Sequence, residues 1–96
     1  MDFVGAVGEP AILEQMAEEC CELGHAALKR ARILRAENPT PAREEDSLSS
    51  LMEEMADVVL MIDVFMRSQK RGLMDGIEMM MELKEERWEK RLSGLE

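Results

Sequence analysis

Residues 48–66 read LSSLMEEMADVVLMIDVFM, and this stretch decides the fold. Its apolar residues first recur every three or four positions, as on one face of a helix, and from Val58 onward they surround the helix. Asp57 and Asp63 interrupt the apolar run, which argues against a membrane span. The stretch therefore predicts a helix that is buried from several directions at the centre of an oligomer.

The rest of the chain also favours helices, because Ala, Leu, Met, Glu, Lys and Arg dominate it and tyrosine is absent. We predict an all-α fold in one domain, residues 1–96, as an antiparallel bundle of three to four helices that oligomerises through its apolar second helix. The predicted helices cover residues 9–36, 48–71 and 76–92. Residues 37–47 form a loop in this interpretation, and residues 1–8 either contribute to a binding pocket or are disordered.

Local signals set the expected helix ends. Pro10 suits the first turn of the first helix, and Ser47 is the expected cap of the second. Gly72 is expected to end the second helix and Asp75 to cap the third. The predicted inward faces are, in the first helix, Leu13, Met16, Ala17, Cys20, Gly24, Ala27, Ala31 and Leu34, and in the second, Leu48, Leu51, Met52, Met55 and Val59.

The net charge and the two cysteines limit which partners and which cellular compartment are expected for this protein. The formal net charge is −9, from 21 acidic against 12 basic residues, so a nucleic-acid partner is not expected. Cys20 and Cys21 are neighbours on one helix and cannot readily form a disulfide with each other. With no signal peptide, no membrane span and no zinc-ligand spacing, we expect a cytoplasmic protein without a membrane partner.

Two acidic motifs share one layout on the first two helices. Residues 18–22 read EECCE and residues 53–57 read EEMAD, so each carries a pair of acids three positions apart. Residues at this spacing lie on adjacent turns of one helix face. If the two helices pack antiparallel, the carboxylates of Glu19, Glu22, Glu54 and Asp57 converge.

Four converging carboxylates repel one another unless a cation lies among them. Oxygen ligands in this number suit Mg²⁺, which completes its six-coordinate shell with waters and substrate phosphates. Asp57 directly precedes the fully apolar run, where an ionised carboxylate without a partner is costly. Solvated surface acids are the alternative, and the matched pairs favour the metal site.

The motifs E-E-x-x-E at residues 18–22 and E-x-x-D at residues 54–57 resemble those of the MazG-like all-α nucleotide pyrophosphohydrolases. The resemblance covers nearly the whole chain and includes Lys29, Lys84 and Arg87. It implies hydrolysis of nucleoside triphosphates to a monophosphate and pyrophosphate. The cofactor that it implies is Mg²⁺, with Mn²⁺ as a substitute, bound by Glu19, Glu22, Glu54 and Asp57. The apolar second helix separately leads us to expect a homodimer or homotetramer.

Further roles follow from the chemistry and from the same resemblance. Glu18 adjoins the metal pair and is the candidate for orienting or deprotonating the attacking water, with a supporting or solvated acid as the alternative. The resemblance implies that Lys29, Lys84 and Arg87 bind phosphates, with Arg91 a weaker candidate; helix ion pairs are their alternative role.

Two other functions remain open at this point. A phosphoribosyl-ATP pyrophosphohydrolase-like enzyme would share the fold and the metal chemistry. A non-catalytic helical assembly or adaptor module would carry only solvated acids and would use the apolar second helix for association. Substituting the acids would leave an adaptor's function unchanged.

Overall fold

The computed structural model describes residues 1–37, 44–69 and 72–94. These ranges contain four helices and no strand, so the all-α prediction is confirmed. The helices are α1 (Phe3–Val7), α2 (Glu9–Leu34), α3 (Glu44–Arg67) and α4 (Leu73–Leu92). The first helix of the sequence prediction corresponds to α2, the second to α3 and the third to α4.

The N-terminal segment forms the short helix α1, so residues 3–7 are ordered as a helix. The side chain of Asp2 caps this helix by accepting a hydrogen bond from the Gly5 amide at 2.9 Å. Gly8 then joins α1 to α2 with a φ of 92°, which a residue with a side chain rarely adopts. Pro10 lies in the first turn of α2, as predicted.

Helices α2 and α3 form an antiparallel hairpin whose two ends are fixed by polar contacts. At one end, Arg30 of α2 donates to the Ser47 hydroxyl and to the Glu44 carbonyl oxygen at the start of α3, both at 3.1 Å. At the other end, the Gln69 amide donates to Glu9 at 2.8 Å. The middle of α2 therefore faces the middle of α3.

The shielded faces of both helices follow alternating steps of four and three residues, the pattern of coiled-coil packing. The shielded positions in these patterns are Ile12, Met16, Glu19, Leu23, Ala26, Arg30 and Ile33 in α2, and Ser47, Leu51, Glu54, Val58, Met61 and Phe65 in α3. Two of these positions are acidic, so carboxylates occupy sites where the pattern calls for apolar side chains.

The predicted inward faces were partly wrong. Most of the residues predicted to face inward are exposed, and they lie about one residue round the helix from the shielded ones, namely Leu13, Ala17, Cys20, Gly24, Ala27 and Leu34 in α2, and Leu48, Met52, Met55 and Val59 in α3. Met16, Ala31 and Leu51 are shielded as predicted. The predicted faces were chosen from apolar and small residues alone, so the shielded charged residues Glu19, Arg30 and Glu54 were left out of them.

Three predicted helix ends were also wrong. Helix α3 begins at Glu44, so residues 44–47 are not a loop and Ser47 lies inside the first turn, where its hydroxyl donates to the Glu44 carbonyl at 2.7 Å. Helix α3 ends at Arg67, and Gly72 precedes α4 with a φ of 96°. Asp75 therefore lies in the first turn of α4 rather than at its cap. Residues 38–43 of the predicted loop lie outside the described residues.

Helix α4 stands largely apart from the other three. Helix α1 packs against α2 and α3, whereas α4 makes only marginal contact with the described part of the other helices and contains no buried residue. The radius of gyration is 17.2 Å, whereas a compact domain of this length has a value of about 12.5 Å. The single chain therefore has an open shape. Within the described ranges, none of the helices combines the length and apolarity needed to cross a bilayer.

Candidate metal centre

Four carboxylates meet at the middle of the α2–α3 hairpin. Glu19 and Glu22 lie on adjacent turns of α2, and Glu54 and Asp57 on adjacent turns of α3. One oxygen from each of the four lies within 4.8 Å of the others. The antiparallel packing thus brings together the residues that the sequence motifs single out, and we call them the acidic cluster.

The acidic cluster has an inner and an outer half. Glu19 and Glu54 are half-buried between the helices, and the Oε2 atom of each is buried without a hydrogen-bond partner among the described residues. Glu22 and Asp57 are exposed. Because a buried carboxylate oxygen without a partner is costly, the inner half requires a proton or a cation to satisfy it.

Gln15 supports the inner half and was missed by the sequence analysis. Its side-chain amide donates to Oε1 of Glu19 at 2.7 Å, one turn along α2. This contact fixes one oxygen of Glu19 and leaves Oε2 for another ligand. The spacing of four residues between Gln15 and Glu19 was the available signal, since side chains at this spacing are neighbours on a helix.

The environment raises the pKa of Glu54 above its ordinary value. Partial burial is the main cause, followed by the negative charges of Glu22 and Asp57, a hydrogen bond with Glu22, and the charge of Glu19. In the absence of a cation, Glu54 thus holds a proton more readily than an isolated glutamate does. A cation that replaces this proton relieves the same repulsion.

The raised pKa of Glu54 affects the free energy of unfolding of the chain when no metal is bound. Between the ordinary glutamate pKa of about 4.3 and the raised value, the folded chain binds more protons at Glu54 than the unfolded chain does. The contribution of Glu54 to stability is therefore lost as the pH rises through this window.

We expect Glu54→Gln to be as stable as the wild type near pH 4 and more stable at pH 7, both in EDTA. Urea denaturation across the pH range measures the difference. Glu53→Gln is the matched control, because Glu53 is exposed and lies outside the acidic cluster. A stability difference that does not change with pH, or that Glu53→Gln reproduces, would contradict the expectation.

The acidic cluster fits a hard divalent cation. All four donors are carboxylate oxygens, the ligand type that Mg²⁺ prefers. Opposite ligands of an octahedral Mg²⁺ lie about 4.2 Å apart, twice its bond length of about 2.1 Å, so the observed spread requires only small side-chain adjustments. Within the described ranges, no lysine or arginine forms an ion pair with any of the four.

The other candidate residues divide into two groups. Glu18 and Lys29 are exposed on the α2 face that carries Glu22, four residues before it and seven residues after it. Lys29 is therefore about 10 Å from Glu22 along the helix axis. Lys84 and Arg87 are exposed on α4, and no hydrogen bond or ion pair links them to the acidic cluster in the part of the chain that is described.

Comparisons of the chain with protein-family models, with curated proteins and with solved structures found no match. The assignment to the MazG-like family therefore remains a proposal that rests on the two acidic motifs.

Proposed function

We propose that this protein is a Mg²⁺-dependent hydrolase of the MazG-like kind that cleaves nucleoside triphosphates between the α and β phosphates. The acidic cluster carries the proposal, because its four oxygens lie within 4.8 Å and two of its carboxylates have a buried oxygen without a partner. The products would be a nucleoside monophosphate and pyrophosphate.

The chemistry of the donors supports a phosphate substrate. Four carboxylates leave part of a six-coordinate shell for water and for phosphate oxygens. When bound, Mg²⁺ neutralises phosphate charge and lowers the pKa of a bound water. Glu22 and Asp57 are exposed, so a substrate has access to the acidic cluster from solvent.

Two neighbours of the acidic cluster take the remaining roles in this proposal. Glu18 lies one turn before Glu22 on the same face and accepts a proton from the attacking water or orients it. Lys29 lies on the same face at a distance that the phosphate chain of a nucleotide can span, and it binds the phosphates. Lys84 and Arg87 of α4 remain phosphate-binding candidates. Within the single chain, α4 makes only marginal contact with the α2–α3 hairpin.

The test is a product analysis over a panel of standard, deoxy and modified triphosphates, including phosphoribosyl-ATP, with Mg²⁺, with Mn²⁺ and with EDTA. We expect monophosphate and pyrophosphate in equal amounts with either metal and no turnover in EDTA. Release of inorganic phosphate and a diphosphate would contradict the proposed position of cleavage. Turnover of phosphoribosyl-ATP alone would assign the protein to the second enzyme class.

The adaptor alternative is favoured by one observation, the large number of exposed apolar side chains on α3 and α4. An adaptor predicts no turnover of any member of the panel and no effect of substitutions in the acidic cluster.

Self-association as a homodimer or homotetramer and a cytoplasmic location belong to the enzyme proposal. Exposed Cys20 and Cys21 suit a reducing compartment.

Gln15 provides a test of how the acidic cluster is held. Gln15→Ala removes the amide that orients Glu19, and we expect it to weaken Mg²⁺ binding by about 10-fold or more. Titration calorimetry measures the change. Gln69→Ala is the control, since Gln69 donates to Glu9 at the end of the hairpin. Equal affinities of Gln15→Ala and the wild type would show that this hydrogen bond does not position a ligand.

A further inference from the structure

A cavity of about 230 Å³ lies between the segment that leads into α1 and the last turn of α3. Helix α1 packs against both α2 and α3, so this segment is held over the end of α3. The residues that line the cavity are Met1, Asp2, Phe3, Val64, Arg67 and Ser68. We call it the end cavity.

The end cavity lies on the same face of α3 as the exposed half of the acidic cluster. Asp57, Leu60, Val64 and Arg67 follow alternating steps of three and four residues, which places them on one face of the helix. Val64 is about 10 Å from Asp57 along the helix axis. Leu60 lies between them and is exposed. A ligand held at Asp57 can therefore reach the end cavity across an apolar surface.

Lys29 lies on the opposite side of the acidic cluster from the end cavity. It adjoins Arg30, which contacts Ser47 at the start of α3. The end cavity instead lies at the end of α3, close to Gln69. A long substrate bound at the acidic cluster thus has room in two directions, one toward Lys29 and the other toward the end cavity.

The charges around the end cavity disfavour the phosphate end of such a substrate. The Nε and Nη2 atoms of Arg67 donate to the carboxylate of Asp63, so the positive charge of Arg67 is already balanced. Asp2 adds a negative charge to the lining. Because like charges repel, a phosphate group is less favoured here than beside Lys29.

The lining suits a planar, uncharged ring. Phe3 and Val64 provide apolar walls, and the ring of Phe3 retains 41% of its accessible surface. Bases stack on exposed aromatic side chains of this kind. The carboxylate of Asp2, the hydroxyl of Ser68 and the remaining N–H groups of Arg67 can form hydrogen bonds with the edge of a base.

We propose that the end cavity holds the nucleobase of the substrate, stacked on Phe3, while the phosphate chain extends from the acidic cluster toward Lys29. This inference rests on the proposed hydrolase function for the identity of the substrate. It adds which part of the chain contacts the base and in which direction the nucleotide lies along the hairpin.

The first test compares a nucleoside triphosphate with a ribose triphosphate that lacks the base. Phe3→Ala should lower kcat/KM for the nucleoside triphosphate by about 10-fold or more, because it removes the stacking surface. It should leave hydrolysis of the base-free compound unchanged. Val7→Ala is the matched control, since Val7 is an exposed residue of the same helix that does not line the end cavity. An equal loss on both substrates, or no loss on either, would overturn the proposal.

The second test needs neither metal nor turnover. Incorporation of para-fluorophenylalanine labels the two phenylalanines, Phe3 and Phe65, for fluorine NMR. Phe65 occupies a shielded position of α3 and serves as the internal control. In EDTA, free nucleosides should shift the Phe3 signal in a saturable manner and leave the Phe65 signal in place, whereas ribose should shift neither.

The two measurements separate this inference from the proposed function. Turnover of nucleoside triphosphates without a nucleoside-dependent shift of the Phe3 signal would overturn the end cavity as the base site and leave the hydrolase proposal intact. A saturable shift of the Phe3 signal in a protein without turnover would support the cavity as a nucleoside site and contradict the hydrolase proposal alone.

Discussion

Glu54→Gln is expected to lower kcat/KM for Mg²⁺-dependent pyrophosphate release by about 1,000-fold or more, because a bound metal contributes several kcal/mol to stabilising charge in phosphate cleavage. Glutamine keeps the shape of the side chain and removes the charge that a cation requires. Glu54 is half-buried at the inner face of the acidic cluster, so water is a poor substitute for its carboxylate.

Glu53→Gln is the matched control for this experiment. It makes the same chemical change one residue away, on an exposed side chain outside the acidic cluster. Steady-state rates of pyrophosphate release should distinguish the two variants, with Glu53→Gln close to the wild type. Equal activity of Glu54→Gln and the wild type would show that the acidic cluster takes no part in the reaction.

The second large effect concerns thermal stability. A cation that binds only the folded chain stabilises it by about 2.7 kcal/mol at 100 times its Kd, which for a domain of this size raises Tm by about 10 °C or more. Differential scanning calorimetry in Mg²⁺ and in EDTA measures the shift. We expect the wild type and Glu53→Gln to show it in full.

The Tm of Glu54→Gln should lie above that of the wild type in EDTA and below it in Mg²⁺. In EDTA at pH 7 the variant should melt above the wild type, because it removes one of four mutually repelling charges. In Mg²⁺ it should melt below the wild type, because it has lost a ligand. A wild-type Tm that does not respond to Mg²⁺ would count against the site, as would a Glu54→Gln variant that gains as much as the wild type.

Both the helices and the convergence of the four acids could be predicted from the sequence. Helix-forming residues and the stop near residue 38 imply two long helices joined by a short connection, and such helices pack antiparallel. Acids three residues apart, near the middle of each helix, then meet. Glu19, Glu22, Glu54 and Asp57 do so in the structure, whereas their binding of Mg²⁺ stays a prediction.

The face that each helix turns inward could not be read correctly from hydrophobicity. Glu19 and Glu54 occupy shielded positions, so a face chosen from apolar and small residues alone is displaced by about one residue on both helices. In α3 a second set of apolar residues, which includes Met55 and Val59, is exposed and follows the same spacing as the shielded residues. The sequence predicted that α3 is buried from several directions without showing which of them faces α2.

The position of α4 relative to the other helices could not be predicted from the sequence either. Its charged residues are spread around the helix, and none of its residues is buried in the single chain. The link of Lys84 and Arg87 to the acidic cluster therefore rests on resemblance. Gln15 was missed because a single polar residue one turn from an acid is common on helix surfaces.

Titration calorimetry with Mg²⁺ in the absence of nucleotide tests the central claim most directly, because it asks whether the acidic cluster holds a cation. The wild type and Glu53→Gln should bind Mg²⁺ with the same affinity and stoichiometry, and Glu54→Gln should show no saturable binding. If the wild type does not bind Mg²⁺, or if Glu54→Gln binds it equally well, the four carboxylates are not a metal site.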